Sequence, residues 1–314
     1  MRVAVLDDYQ EVADRYADWD AVAADVTFFS DHLADHRALI DRLSGFDVIV
    51  AMRERTPFQR PLLELLPALR LLVTTGMRNA SIDVKAAIDL GITVSGTNSP
   101  GVATAELAFA MVLAMSRNLI LEAGSVAKGG WQQRVGRELR GSTLGVIGLG
   151  RLGAEVARFG RAFGMDVLAW SQNLTSERAE EVGARLVTKG ALLAESDFVS
   201  IHLRLSDRTR DLIGQAELEK MKATAYLVNT SRGEIVDTGA LLAALDSGAL
   251  AGAGIDVFDV EPLPPDDRRR THPKILATPH IGYVTDATYR VFYTEVVEDI
   301  AAWQAGAPIR VLTA

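Results

Sequence analysis

The sequence predicts an α/β protein built from two doubly wound parallel-sheet units. Three observations carry this. The chain has 314 residues, more than one ordinary domain of roughly 150. Short apolar runs of β type alternate with helical stretches along its length, the pattern of βαβ units. These runs form two series, separated by the turn signal Asn98-Ser99-Pro100-Gly101.

The first series places strands at 3–6, 26–29, 48–51, 71–75 and 92–95. Between them, 33–43 and 82–89 carry apolar residues at helical spacing. Residues 102–121 are mostly apolar and read as one buried helix, either core or a dimer face. The second series places strands at 144–148, 167–170, 184–187, 198–202, 225–229, 251–256 and 275–278. Residues 286–304 look helical and return the chain to the first unit, which is then discontinuous. The expected division is 1–98 with 285–314 against 99–284.

Composition excludes several function classes. With no cysteine there is no disulfide framework, thiolate metal site, iron–sulfur cluster or cysteine nucleophile. A net charge of −8 argues against a nucleic-acid partner, since phosphate binding needs a basic face. The longest apolar run, 107–115, spans nine residues, whereas a membrane helix needs about twenty. The amino-terminal apolar run meets Asp7 and Asp8 at once, so no signal-peptide core develops. A cytoplasmic protein without membrane partners is expected. His32 and His36 are four apart, but with no HExxH pattern and no cysteine partner, no metal is expected. The charge run at 266–270 reads as a solvated loop.

The strongest local signal is Gly148-Leu149-Gly150-Arg151-Leu152-Gly153. It follows the buried strand and opens a helix with apolar residues at Leu152, Val156, Phe159 and Phe163. Gly148 permits the tight turn, Gly150 lets the backbone approach a pyrophosphate, and Gly153 lets helix and strand pack closely. The helix start supplies N–H groups and positive potential for phosphates. An acid roughly 20 residues on would hold the adenosine ribose. That position ends in Ser171-Gln172-Asn173, with no carboxylate and no adjacent arginine. NAD(H) and NADP(H) both stay open, with Ser171 at the decision point.

Three later segments each follow a buried strand: 229–237 with Asn229, Thr230 and Arg232, 254–262 with Asp256 and Glu261, and 278–282 with His280 and Gly282. Open α/β sheets bind ligands at such carboxyl ends. Here the chain resembles the D-isomer-specific 2-hydroxyacid dehydrogenases through essentially its whole length, most densely from Gly148 to Gly282 and in the order Gly-rich loop, Arg, Glu, His. The resemblance implies a Rossmann nucleotide-binding domain inserted in a smaller flavodoxin-like substrate domain, and a homodimer. It also implies a D-stereospecific reaction on a small 2-oxo or 2-hydroxy acid, of glyoxylate or hydroxypyruvate reductase type.

The chemistry fits the residues. A guanidinium such as Arg232 can pair with the substrate carboxylate and polarise the adjacent carbonyl. His280 is the natural general acid, or base in reverse, near neutral pH. Glu261 would orient it. The expected cofactor-binding set is Thr104, Gly148, Gly150, Arg151, Leu152, Gly153, Ser171, His202, Asn229, Thr230, Asp256 and Gly282. Of these, the resemblance places Thr104 near the nicotinamide, His202 on the adenine side and Asp256 on the carboxamide. It places Gly76 and Met77 at the substrate, with backbone N–H groups of loop 75–78 on its carboxylate. Arg53 and Arg55, following the strand 48–51, edge the same cleft or are solvated surface charges. The competing class is a non-enzymatic dinucleotide sensor of corepressor type, which needs NAD(H) binding and a partner surface but no turnover.

Overall fold

Runs such as Val48-Ile49-Val50-Ala51 and Leu71-Leu72-Val73 are apolar on both faces, which suits central strands covered by helices on either side. A computed structural model describes residues 1–99 and 101–313. The turn signal at 98–101 includes Pro100, which lies outside the described residues. Two compact units form, Met1–Gly101 with Val284–Ala314 (unit 1) and Val102–Tyr283 (unit 2).

Unit 1 holds strands β1 (Arg2–Val5), β2 (Asp25–Phe28), β3 (Val48–Ala51), β4 (Leu71–Thr74) and β5 (Thr93–Gly96). They form a parallel sheet in the order β2-β1-β3-β4-β5, the flavodoxin-like order. Asp35 and Asp83 cap the helices His36–Leu43 and Val84–Asp89 by accepting from the N–H groups of Ala38 and Ala86. His32 lies ahead of the first of these helices and pairs through Nδ1 with Asp7 at 2.9 Å. The last helix, Asp286–Gln304, packs on β4 and β5.

Unit 2 holds β6 (Thr143–Ile147), β7 (Asp166–Trp170), β8 (Arg185–Leu186), β9 (Phe198–Ile201), β10 (Tyr226–Asn229), β11 (Gly252–Ile255) and β12 (Ile275–Ala277). All are parallel, in the order β12-β11-β10-β9-β6-β7-β8. Counted from β6 this is the Rossmann order with one more strand. The helix Ala103–Ser116 packs on β10 and β11, where Met111 and Met115 lie against Gly254.

Two sequence expectations are corrected here. Residues 102–121 are not one buried helix. Asn118 adopts φ 53°, a left-handed setting that asparagine tolerates. The chain bends by 63° into a second helix, Leu119–Ala127, whose Leu119 and Ile120 are 51% and 65% exposed. The charge run at 266–270 is not wholly solvated, because Arg269 is only 6% exposed. Among the described residues, no single helix is long and apolar enough to cross a membrane.

Candidate active site

β10, β11 and β12 are neighbours and parallel, so the loops leaving their carboxyl ends emerge side by side. The loop after β10 carries Arg232, the loop after β11 carries Glu261, and the loop after β12 carries His280. Glycine at 233 allows the first two to touch. A Cβ there would lie 2.3 Å from the carbonyl carbon of Phe258 and 2.5 Å from the nitrogen of Asp259.

Glu261 and His280 meet directly. Nδ1 of His280 lies 2.6 Å from Oε2 of Glu261, and Oε1 accepts the N–H of Phe258 at 2.8 Å. Both carboxylate oxygens are therefore committed, and the ring is held by one of its nitrogens. The side chains are 18% and 25% exposed, low enough for a charge-assisted bond to matter. Tyr283 packs edge-on against the imidazole, with centroids 5.5 Å apart. His280 itself has φ 52°, an uncommon setting of the kind that gathers at functional sites.

That backbone turn is held by Asp256, which is fully buried. Its carboxylate accepts from the Thr278 hydroxyl at 2.6 Å and from the N–H groups of Ile281 and Gly282 at 2.8 Å each. Burial pushes its carboxyl pKa up, against the pull of these donors. Thr104 completes the knot by donating to the carbonyl of Gly282 at 3.0 Å. Arg232 is brought in by a turn in which Asn229 Nδ2 donates to its carbonyl at 2.8 Å, while its own Nη1 donates to the carbonyl of Ser231 at 2.7 Å.

Further along the same edge, β6 and β9 lie beside each other where the strand order reverses. Gly148 has φ 97°, and a Cβ there would meet the His202 carbonyl oxygen at 2.6 Å. A Cβ on Gly153 would stand 2.0 Å from the Gly148 oxygen, whereas at Gly150 it would meet nothing within 4 Å. Helix Arg151–Ala162 starts here and buries Gly153, Val156, Ala157 and Gly160. Phe163, expected on that face, ends at 46% exposure. The open backbone at Gly150 on a helix start fits a pyrophosphate. Thr230 adds to the fit, since its buried Oγ1 has no hydrogen-bond partner among the described residues. Ser171 turns its hydroxyl into the loop and accepts the N–H of Leu149 at 2.9 Å. Nε2 of His202 lies 2.8 Å from Ser200 Oγ, and burial lowers the ring's pKa to about 4.

The remaining expected residues belong to unit 1, in a cluster of their own. The N–H of Arg53 donates to Thr75 Oγ1 and its Nη1 to the Thr75 carbonyl, both at 2.9 Å. The N–H of Gly76 donates to Thr97 Oγ1 at 2.8 Å. Gly76 has φ 100°, and a Cβ there would overlap Arg53 Nη1 at 1.9 Å. Met77 is 40% exposed.

Two site features escaped the sequence reading. Gly233 is one glycine among 26, and only the approach of two backbones explains it. Arg269 sits in an ordinary-looking charge run.

With this geometry established, comparison with known proteins gives a consistent answer. Residues 109–282 match the D-isomer specific 2-hydroxyacid dehydrogenase NAD binding domain. A glyoxylate reductase of Aeropyrum pernix is 42% identical over 78% of this chain and 76% of its own. One from Korarchaeum cryptofilum is 37% identical over 86% and 83%. The crystal structure of a phosphoglycerate oxidoreductase from Vibrio cholerae superposes with a TM-score of 0.93 at 37% identity, covering 98% of this chain and 100% of that one. The chain belongs to the D-isomer-specific 2-hydroxyacid dehydrogenase family.

Proposed function

We propose that this protein is an NAD(P)-dependent oxidoreductase that interconverts a small 2-oxo acid and its D-2-hydroxy acid. The observation that carries the reading is the 2.6 Å bond between His280 and Glu261, at the carboxyl edge of a Rossmann sheet. The names of the glyoxylate reductases among its relatives favour glyoxylate and similar short acids as substrates.

The nicotinamide, when bound, supplies or accepts the hydride. Everything else falls to the protein. Glu261 engages Nδ1 of His280, which leaves Nε2 as the nitrogen that gives a proton to the carbonyl oxygen on reduction and takes it back on oxidation. Arg232 pairs its planar fork with the substrate carboxylate and stabilises charge on the neighbouring oxygen. Asp256, through Ile281 and Gly282, keeps the histidine turn in place. Contacts from Gly76 and Met77 to the substrate rest on the family resemblance, and that from Arg53 on its place at the end of a strand. The dinucleotide lies along Gly148, Gly150, Arg151, Leu152 and Gly153, with Asn229 and Thr230 beside it.

Neither Ser171 nor a neutral His202 brings charge to the ribose, so NAD(H) and NADP(H) are both accommodated. The homodimer reading is supported by large apolar side chains left exposed in the segment after Asn118, where Ile120 is 65%, Val126 59% and Trp131 72% exposed. A cytoplasmic location completes the proposal.

The test is steady-state reduction of glyoxylate, hydroxypyruvate, pyruvate and longer 2-oxo acids with NADH and with NADPH. Turnover of at least one short acid is expected. Tight cofactor binding with no turnover across the panel would replace the enzyme reading with the sensor.

A further inference from the structure

Behind the Glu261 loop lies a guanidinium that the reaction does not require. Arg269 is buried at 6% exposure, yet nearly all its donors are used. Nε and Nη2 form a fork on Asp267 at 2.9 and 2.7 Å. Nη1 reaches Asp259 Oδ1 at 2.5 Å and Thr238 Oγ1 at 3.2 Å. Its carbon stands 5.4 Å over the Phe258 ring, a cation–π distance.

These partners come from two different loops. Phe258 and Asp259 belong to the turn that holds Glu261, and the Phe258 N–H is the group that fixes Glu261 Oε1 at 2.8 Å. Thr238 begins the helix Thr238–Ser247, a few residues after Arg232. One side chain thus ties the exit of the Arg232 loop to the turn bearing Glu261. A cavity of about 20 Å³ lies here, lined by Arg269 together with Asn229, Gly233 and Val257, room for about one water.

We propose that Arg269 is a positioning residue that sets the Glu261–His280 pair relative to Arg232. The proposal rests on the dehydrogenase reading for its effect on turnover, but its structural part does not. Held by a bidentate fork on Asp267, the guanidinium is rigid where a lysine would swivel. Its loss lets the 258–261 turn drift, and an error near 1 Å at a reacting group can cost on the order of a hundredfold in rate.

The experiment uses the full-length protein and three variants, Arg269→Met, Arg269→Lys and Asp259→Asn, with Arg268→Met as an exposed control. His280 ring signals are followed by ¹⁵N–¹H NMR, and kcat and cofactor KM by steady-state kinetics. Arg269→Met is expected to shift the His280 Nδ1 signal and to lower kcat roughly tenfold to a hundredfold with cofactor KM changed less than about twofold. Arg269→Lys should recover only part of this, and Arg268→Met should change neither. If Arg269→Met does not fold, Asp259→Asn carries the test, because it removes a single, half-exposed partner and should still move the His280 signal. Unchanged His280 signals and kcat in a folded Arg269 or Asp259 variant overturn the proposal. Absence of turnover in the parent protein would overturn the dehydrogenase reading instead, and the NMR result would still decide the role of Arg269.

Discussion

Replacing Gly233 by alanine is a steric test of how the site is assembled. The position is not among those with positive φ, so alanine adds one carbon without left-handed backbone strain. That carbon would start 2.3 Å from the Phe258 carbonyl carbon and 2.5 Å from the Asp259 nitrogen. Ordinary carbon contact begins at roughly 3.5 Å, so the two loops must part by about 1 Å. Both neighbours are backbone atoms, and no flexible side chain can turn away. The bond at risk is the 2.6 Å contact between His280 and Glu261, because Phe258 donates to the same carboxylate. A further 1 Å would end it as a hydrogen bond. Overpacking of this kind costs about 1–3 kcal/mol, a fall in Tm of roughly 2–4 °C per kcal/mol for a unit of this size. Misplacement of the acid by 1 Å costs on the order of a hundredfold in rate. The assay is glyoxylate reduction at saturating cofactor, with a thermal melt alongside. A variant within twofold of the parent in kcat, with an unchanged melt, would refute the idea that this contact sets the site.

Three other outcomes are expected. Ser171→Asp keeps an acceptor for the Leu149 N–H but adds a negative charge at the ribose end; the ratio of kcat/KM for NADPH to that for NADH should fall, and equal effects on both would show that Ser171 does not face the ribose. Thr230→Val removes a buried hydroxyl that has no partner among the described residues; the melt without cofactor should hold or rise, while cofactor Kd increases several-fold, and an unchanged Kd would take the hydroxyl out of the cofactor site. In unit 1, burial raises the Asp299 carboxyl to about 7 despite its bond to Arg310 at 2.9 Å, with Glu295 and Glu298 adding to the shift. Because the folded pKa is the higher one, this group stabilises most when protonated. That contribution, on the order of 4 kcal/mol, fades as pH rises from the ordinary carboxylate value towards 7. Asp299→Asn should therefore gain on the parent in Tm between pH 5 and pH 8, and a constant gap would contradict the assignment.

Much of the architecture was legible because central parallel strands must be apolar on both faces. Runs such as Phe198-Val199-Ser200-Ile201 therefore stand out without any three-dimensional knowledge. The glycine loop was legible for a related reason, since Gly148 and Gly153 answer local steric demands and Gly150 leaves the backbone open. The break at Asn118 was not, because apolar residues continue past it through Leu119, Ile120 and Leu121, and hydropathy does not register a change of direction. Arg269 was hidden more deeply. Its neighbours Arg268 and Arg270 are exposed, and besides the nearby Asp267 its buried charge is held by partners brought in by the fold, Asp259 and Thr238. At Gly76 the sequence marks a turn, and the fold adds a bond from its N–H to Thr97 Oγ1. Such pairings depend on segments far apart in the chain, which no local pattern encodes.

Single-turnover kinetics decides whether His280 gives the proton. His280→Ala and the parent are each saturated with reduced cofactor and mixed with glyoxylate, while cofactor Kd is measured separately. An unchanged Kd and a chemical step slower by about 10²–10⁴-fold are expected in the variant. A chemical step of equal rate in both proteins would contradict this role.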